Sequence, residues 1–109
     1  MYSSLTSDDI PQMKRGLSKG PLSVLVEANR SAWQNYSSGV LDDTMCGSRL
    51  DHAVLAVGYG NDATSGLDYW LVKNSWGTTW GDQGYIRLAI VDGNGICGVQ
   101  KSPSWATAN

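Results

Sequence analysis

The sequence is short of charge, of sulfur and of imidazole. Charged residues make up 17% of 109, there are two cysteines, and His52 is the only histidine. The formal charge is −2, and no basic cluster of the kind a nucleic-acid footprint needs is present, so no nucleic acid is expected as a partner. No apolar run reaches the length of a membrane span, so no membrane partner is expected. No secretory leader pattern, internal repeat or low-complexity segment is visible. A metal site would have to draw on Cys46, His52 and Cys97, which have no recognisable zinc spacing. No metal and no cofactor are expected.

What is plentiful is glycine, with 13 residues, which favours a turn-rich β protein over a helical bundle. The length is that of one domain with a modest core. The chain is organised around Asp51 to Tyr85. His52 opens the apolar run Ala53-Val54-Leu55-Ala56-Val57-Gly58-Tyr59-Gly60, and Asn74 follows the run Tyr69-Trp70-Leu71-Val72-Lys73. If the two runs pair as antiparallel strands, the start of the first lies beside the end of the second. That brings His52 and Asn74 together across 22 positions.

A histidine serves as a base only when its ring is held in one tautomer and orientation. A side-chain amide can accept from one ring nitrogen and leave the other to face a nucleophile. An indole such as Trp76, set beside that hydrogen bond, would exclude water and strengthen it. The bland alternative is a satisfied core histidine next to a turn asparagine.

The surrounding pattern weighs against the bland alternative. Asp-His-Ala-Val-Leu-Ala-Val-Gly-Tyr-Gly, followed by Tyr-Trp-Leu-Val-Lys-Asn-Ser-Trp-Gly-x-x-Trp-Gly-x-x-Gly-Tyr-Ile, resembles the C-terminal half of the papain-like cysteine peptidases, the papain and cathepsin group. Gly20-Pro21-Leu22-Ser23-Val24 upstream and Gly95-Ile96-Cys97-Gly98 downstream extend the likeness, which runs from about Pro21 to Ser102. The resemblance implies an α+β fold, mainly antiparallel β: the barrel-like right lobe of the papain-like fold, with one or two short helices. It implies a catalytic pair, His52 as base and Asn74 as its orienter, with Trp76 shielding their bond. Leu25, Ala53 and Ser102 would line the pocket for the second substrate residue before the scissile bond, and Asp51, counted with them as substrate-binding, would flank the histidine and favour its protonated form.

The resemblance is to one lobe only. Family thiolates lie near the mature N-terminus, roughly 130–150 residues ahead of the histidine. Only 51 residues precede His52, no Cys-Gly-x-Cys-Trp pattern occurs, and neither Gln12 nor Gln34 matches the oxyanion glutamine motif. The whole chain, 1–109, therefore reads as the C-terminal lobe, inactive alone, with Met1 an expression start or the boundary of a fragment. The expected partners are an N-terminal lobe carrying the nucleophilic cysteine, peptide or protein substrates, and further copies of the chain itself. A non-catalytic lobe that binds peptides, inhibitors or itself is the alternative function.

Cys46 and Cys97 match positions the family pairs as a disulfide, against which stand free thiols or a metal site. A disulfide implies an oxidising compartment: lysosomal, vacuolar or secreted. Asn29-Arg30-Ser31 and Asn35-Tyr36-Ser37 are glycosylation acceptor patterns that agree with it.

Local signals place the remaining elements. Helix N-caps at Thr6 to Asp9, and Ile10, Met13 and Leu17 at helical spacing, predict a helix over Asp8 to Ser18, ended by Gly20-Pro21. Leu22 to Ala28 predicts a strand and Asn29 to Tyr36 a helical turn. The near-continuous apolar run Asp51 to Gly60 predicts a strand buried on both faces. Tyr69 to Lys73 is its return strand, and Tyr85 to Val91 is a further strand. Trp76 and Trp80 are expected to be packed rather than exposed. Ile96 to Lys101 is expected to add a short strand that stops at Pro103, with a frayed tail beyond.

Overall fold

The computed structural model describes residues 2–106. Seven strands among them form one sheet: β1 (Tyr2–Ser4), β2 (Leu22–Val26), β3 (Val40–Leu41), β4 (His52–Asn61), β5 (Asp68–Lys73), β6 (Tyr85–Ala89) and β7 (Ser104–Ala106). Their spatial order is β1-β7-β2-β4-β5-β6-β3. All neighbours are antiparallel except β3 and β6. Two short helices, α1 (Ile10–Leu17) and α2 (Ser31–Gln34), complete an α+β fold that is mainly antiparallel.

The helix α1 starts where its cap permits. Asp8 is left-handed at φ 60°, and Asp9 is extended and accepts a hydrogen bond from the Gln12 amide at 3.0 Å. Pro11 falls in the first turn, where a missing N–H costs nothing. Met13 points into the core, and Lys14 and Arg15 sit in the last turn. The core itself lies on one face of the sheet. Leu22, Val24 and Val26 of β2 meet Val54 and Ala56 of β4, Trp70 and Val72 of β5, and Ile86 and Leu88 of β6. Gln100 is buried among them and fully used: it accepts from Trp70 Nε1 and donates to the carbonyls of Val91 and Gly93.

The strand β4 departs from expectation. Only one of its faces is buried: Val54 and Ala56 are inside, while Ala53 is exposed and Leu55 is 43% exposed. Pairing with β2 and β5 fixes which side chains face the core, and among the described residues no layer is laid over the other face of the sheet. Ser23, Leu25, Ala53, Leu55, Leu71 and Lys73 share that outer face.

The C-terminal region is also corrected. Ile96–Gly98 is a 3-10 turn, not a strand, because Gly95, Cys97 and Gly98 all have φ between 57° and 78°. A run of left-handed residues cannot extend. A strand forms after Pro103, where β7 pairs with both β1 and β2, instead of stopping there. The fraying expected beyond Pro103 is therefore overturned for Ser104–Ala106, and residues 107–109 lie outside the described residues.

Candidate active site

One extra residue in β4 decides what His52 can touch. From Gly58 to Asn61 the strand pairs with β5 in one register, and at Leu55 and Ala56 in a register shifted by one residue, leaving Val57 as a bulge. Continuing the second register past Lys73 sets Asn74 opposite Val54, on the core face that His52 shares. Continuing the first register instead would set Asn74 opposite Leu55, on the outer face. The bulge thus brings imidazole and carboxamide to the same side of the sheet.

There they meet. His52 Nε2 lies 2.8 Å from Asn74 Oδ1. The Ser75 amide donates to the same oxygen at 2.8 Å, which fixes that atom as the acceptor. Nε2 therefore carries the ring's hydrogen, and Nδ1 is left with a lone pair. The Asn74 amide itself donates to Gly84 O at 3.0 Å, so the turn through Gly77 and Gly81 anchors the asparagine backbone. Gly81 is required in that turn: at φ 62°, a Cβ would stand 2.7 Å from Tyr85 O. His52 is half-buried and Asn74 is buried, with Asn74 Nδ2 unpaired among the described residues.

Trp76 stacks on the His52 ring at 5.2 Å between centroids and 26° between planes. It is not packed away as expected: 41% of it is exposed, and its edge rather than its face meets the next indole, Trp80, at 82°. Its position is fixed from below by Trp33, expected from the sequence only as part of a helical turn. Trp33 is fully buried, lies edge-on to both His52 and Trp76, and stacks on Trp80 at 5.3 Å. The signal was present in the three-residue spacing of Trp33 and Tyr36, both of which turn inward.

Asp51, expected beside the histidine, and Glu27, for which no role is expected from sequence, each carry a definite load. Asp51 Oδ1 accepts from the Ala28 amide at 2.8 Å and its own amide donates to Val26 O at 2.9 Å, tying the start of β4 to the end of β2. Glu27 is buried. The Arg49 amide donates to it at 2.8 Å and Arg30 Nε at 2.7 Å, and these two bonds hold its carboxyl below the ordinary range. Gly47 makes room for that carboxylate, since a Cβ there would lie 2.3 Å from Glu27 Oε1.

Of the three residues expected to line a substrate pocket, Leu25 and Ala53 are direct cross-strand partners. Ser102 is exposed, and it stands two residues before Ser104, which pairs with Ser23. The same antiparallel register carried on sets Ser102 opposite Leu25. On the other side of the histidine, a cleft of about 230 Å³ is bounded by Ala28, Asn29, Gln34, Asp51, His52 and Trp76. Larger hollows exist, including one of about 300 Å³ near Tyr85 and Arg87, so size does not mark the site; the His52–Asn74 bond does. Cys46 and Cys97 are joined as a disulfide with Cα atoms 4.8 Å apart. Neither sulfur is available as a free thiol or a metal ligand.

A profile described as papain family cysteine protease matches residues 1–107. The chain belongs to the papain family. It is 46% identical over 108 residues to cathepsin L of Sarcophaga peregrina, a match that covers 97% of this chain and 31% of that protein. It is equally identical over 108 residues to a probable cysteine protease of Arabidopsis thaliana, covering 29% of it. Among solved structures, the bromelain protease of Ananas comosus in complex with the E64 inhibitor superposes with a TM-score of 0.90 at 42% identity, covering 99% of this chain and 50% of that one. The chain thus spans about a third of these curated relatives and half of the bromelain chain.

Proposed function

We propose that this chain is the base-bearing, C-terminal lobe of a papain-like cysteine peptidase that hydrolyses peptide bonds. His52 Nδ1 takes the proton of a cysteine thiol supplied by a companion N-terminal lobe. The thiolate attacks the substrate carbonyl, the imidazolium protonates the departing amine, and water then hydrolyses the acyl-thioester through the same histidine. Asn74 orients the ring and Trp76 shields the bond between them. Leu25, Ala53 and Ser102 line a pocket of modest, apolar character for the second residue before the scissile bond. The companion lobe seats on the outer face of the sheet, whose apolar side chains this chain leaves uncovered. The disulfide favours a lysosomal, vacuolar or secreted setting.

The observation that carries this reading is the 2.8 Å contact between His52 Nε2 and Asn74 Oδ1, which leaves Nδ1 free. The test is His52→Ala in the two-lobe enzyme, measured on a peptide substrate. Activity at the unsubstituted level would end the proposal. The chain alone should take up no thiol-directed active-site probe, and labelling should appear when the N-terminal lobe is added. The alternative, a lobe that only binds peptides, inhibitors or itself, draws on the same uncovered face. It gains ground if both lobes together fail to turn over any peptide.

A further inference from the structure

Two acceptor patterns for N-linked sugar flank α2, and the structure separates them. Asn35 caps the C-terminal end of α2, between Trp33 and Tyr36, both of which are buried. Those two rings hold the segment down, and the Tyr36 hydroxyl donates to Gly39 O at 2.6 Å. Asn35 and Ser37 are thereby turned outward, and both are exposed. Asn35 lines none of the hollows around His52.

Asn29 is exposed too, but its surroundings differ. It borders the cleft of about 230 Å³ that contains His52 and Trp76, and also the adjoining polar hollow of about 510 Å³ with Glu27, Arg30, Arg49 and Asp51. In the proposed reaction the cleft lies across His52 from Leu25, Ala53 and Ser102, so it is the side on which the amine leaves. A branched sugar rooted at Asn29 would stand in that opening. The Cys46–Cys97 disulfide supplies the remaining condition, since it forms in the compartments through which glycosylated chains pass.

We infer that Asn35 is an N-glycan acceptor, and that Asn35 rather than Asn29 carries the sugar in the working enzyme. The second half rests on the peptidase reading; the first does not. Attachment at Asn35 places a large hydrophilic group on a rigid, exposed corner beside the cleft and leaves the path from His52 to solvent open.

The experiment is secretion of the two-lobe protein from a eukaryotic host, with occupancy at each asparagine read by mass spectrometry after enzymatic deglycosylation, which converts a glycosylated Asn to Asp. One occupied site is expected, at Asn35. Asn35→Gln and, independently, Ser37→Ala should abolish the gel shift, and Asn29→Gln should leave it intact. An unmodified Asn35 in secreted protein overturns the inference. Full occupancy of Asn29 in material with undiminished activity overturns its second half. Because occupancy is read by mass, either result stands apart from the His52→Ala test of the peptidase reading.

Discussion

At His52 the ring is held by three atoms: Nε2 against Asn74 Oδ1, and the Ser75 amide donating to that same oxygen. In the proposed reaction Asn74 acts on tautomer and orientation, not on the substrate itself. Asn74→Ala in the two-lobe enzyme should therefore lower kcat/KM by about 10- to 100-fold, the equivalent of one lost charge-assisted hydrogen bond. His52→Ala should cost more, about 1,000-fold or beyond, because the base itself is gone. Steady-state kinetics on the two variants checks the ranking; equal losses would contradict it. Glu27 gives a pH signature at the same scale. Its carboxyl is held low first by the Arg49 amide and then by Arg30, so the unfolded state binds the proton more readily. The stability it contributes is fully present above its unfolded value of 4.5 and is lost as pH falls below that toward the folded value. Urea midpoints should decline in that window for the unaltered chain, and the decline should be shallower in Glu27→Gln.

Among the elements, β4 carries the decisive irregularity. Removing Val57 would close the bulge and run one regular ladder through the whole of the β4–β5 pair, with Asn74 still opposite Val54 on the core face. The Val57 deletion should therefore keep the Nε2–H proton resonance that the Asn74 hydrogen bond protects. Since His52 is the only histidine, that resonance is unambiguous in an NMR spectrum. A resonance lost on the deletion would refute the parity argument. Elements with strong local signals were legible from sequence. The helix from Asp9 has its cap and its apolar stripe, and β5 and β6 alternate as strands do. The 3-10 turn at Ile96–Gly98 was not legible, because it sits where distant segments meet: Cys97 is bonded to Cys46, and beside Leu50 and Ser48 there is no room for a Cβ at Gly98. Nor was the strand after Pro103, which exists because β1 and β2 are there to receive it.

For the molecule as a whole, two features dominate stability and association. The Cys46–Cys97 bond closes a loop across a sequence separation of 51 and ties the 3-10 turn of Thr44–Cys46 to that of Ile96–Gly98. Replacing both cysteines with alanine should cost about 4 kcal/mol in the chain-entropy account, measurable by denaturant titration. The uncovered outer face should make the isolated chain associate with itself. Sedimentation across a range of concentrations should show mass rising with concentration, and addition of the N-terminal lobe should suppress it. A monomer at every concentration would argue against an apolar docking face.

The sequence by itself determined the family pattern, the strands on either side of the Asn61–Asp68 loop, and the meeting of the first strand's start with the second's end. These follow from local propensity and from the order of residues along the chain. Tertiary structure alone decided which face each side chain took. Alternation in Ala53-Val54-Leu55-Ala56-Val57 is apolar at every position, so nothing in it distinguishes core from outer face, and expectation of burial on both sides failed for that reason. Pairing with β2 chose the core side, the bulge at Val57 reversed the parity of β5, and Trp33 rose beneath the imidazole from a helix four residues long. Each of these is a contact between segments far apart in the chain, and only folding brings such segments together.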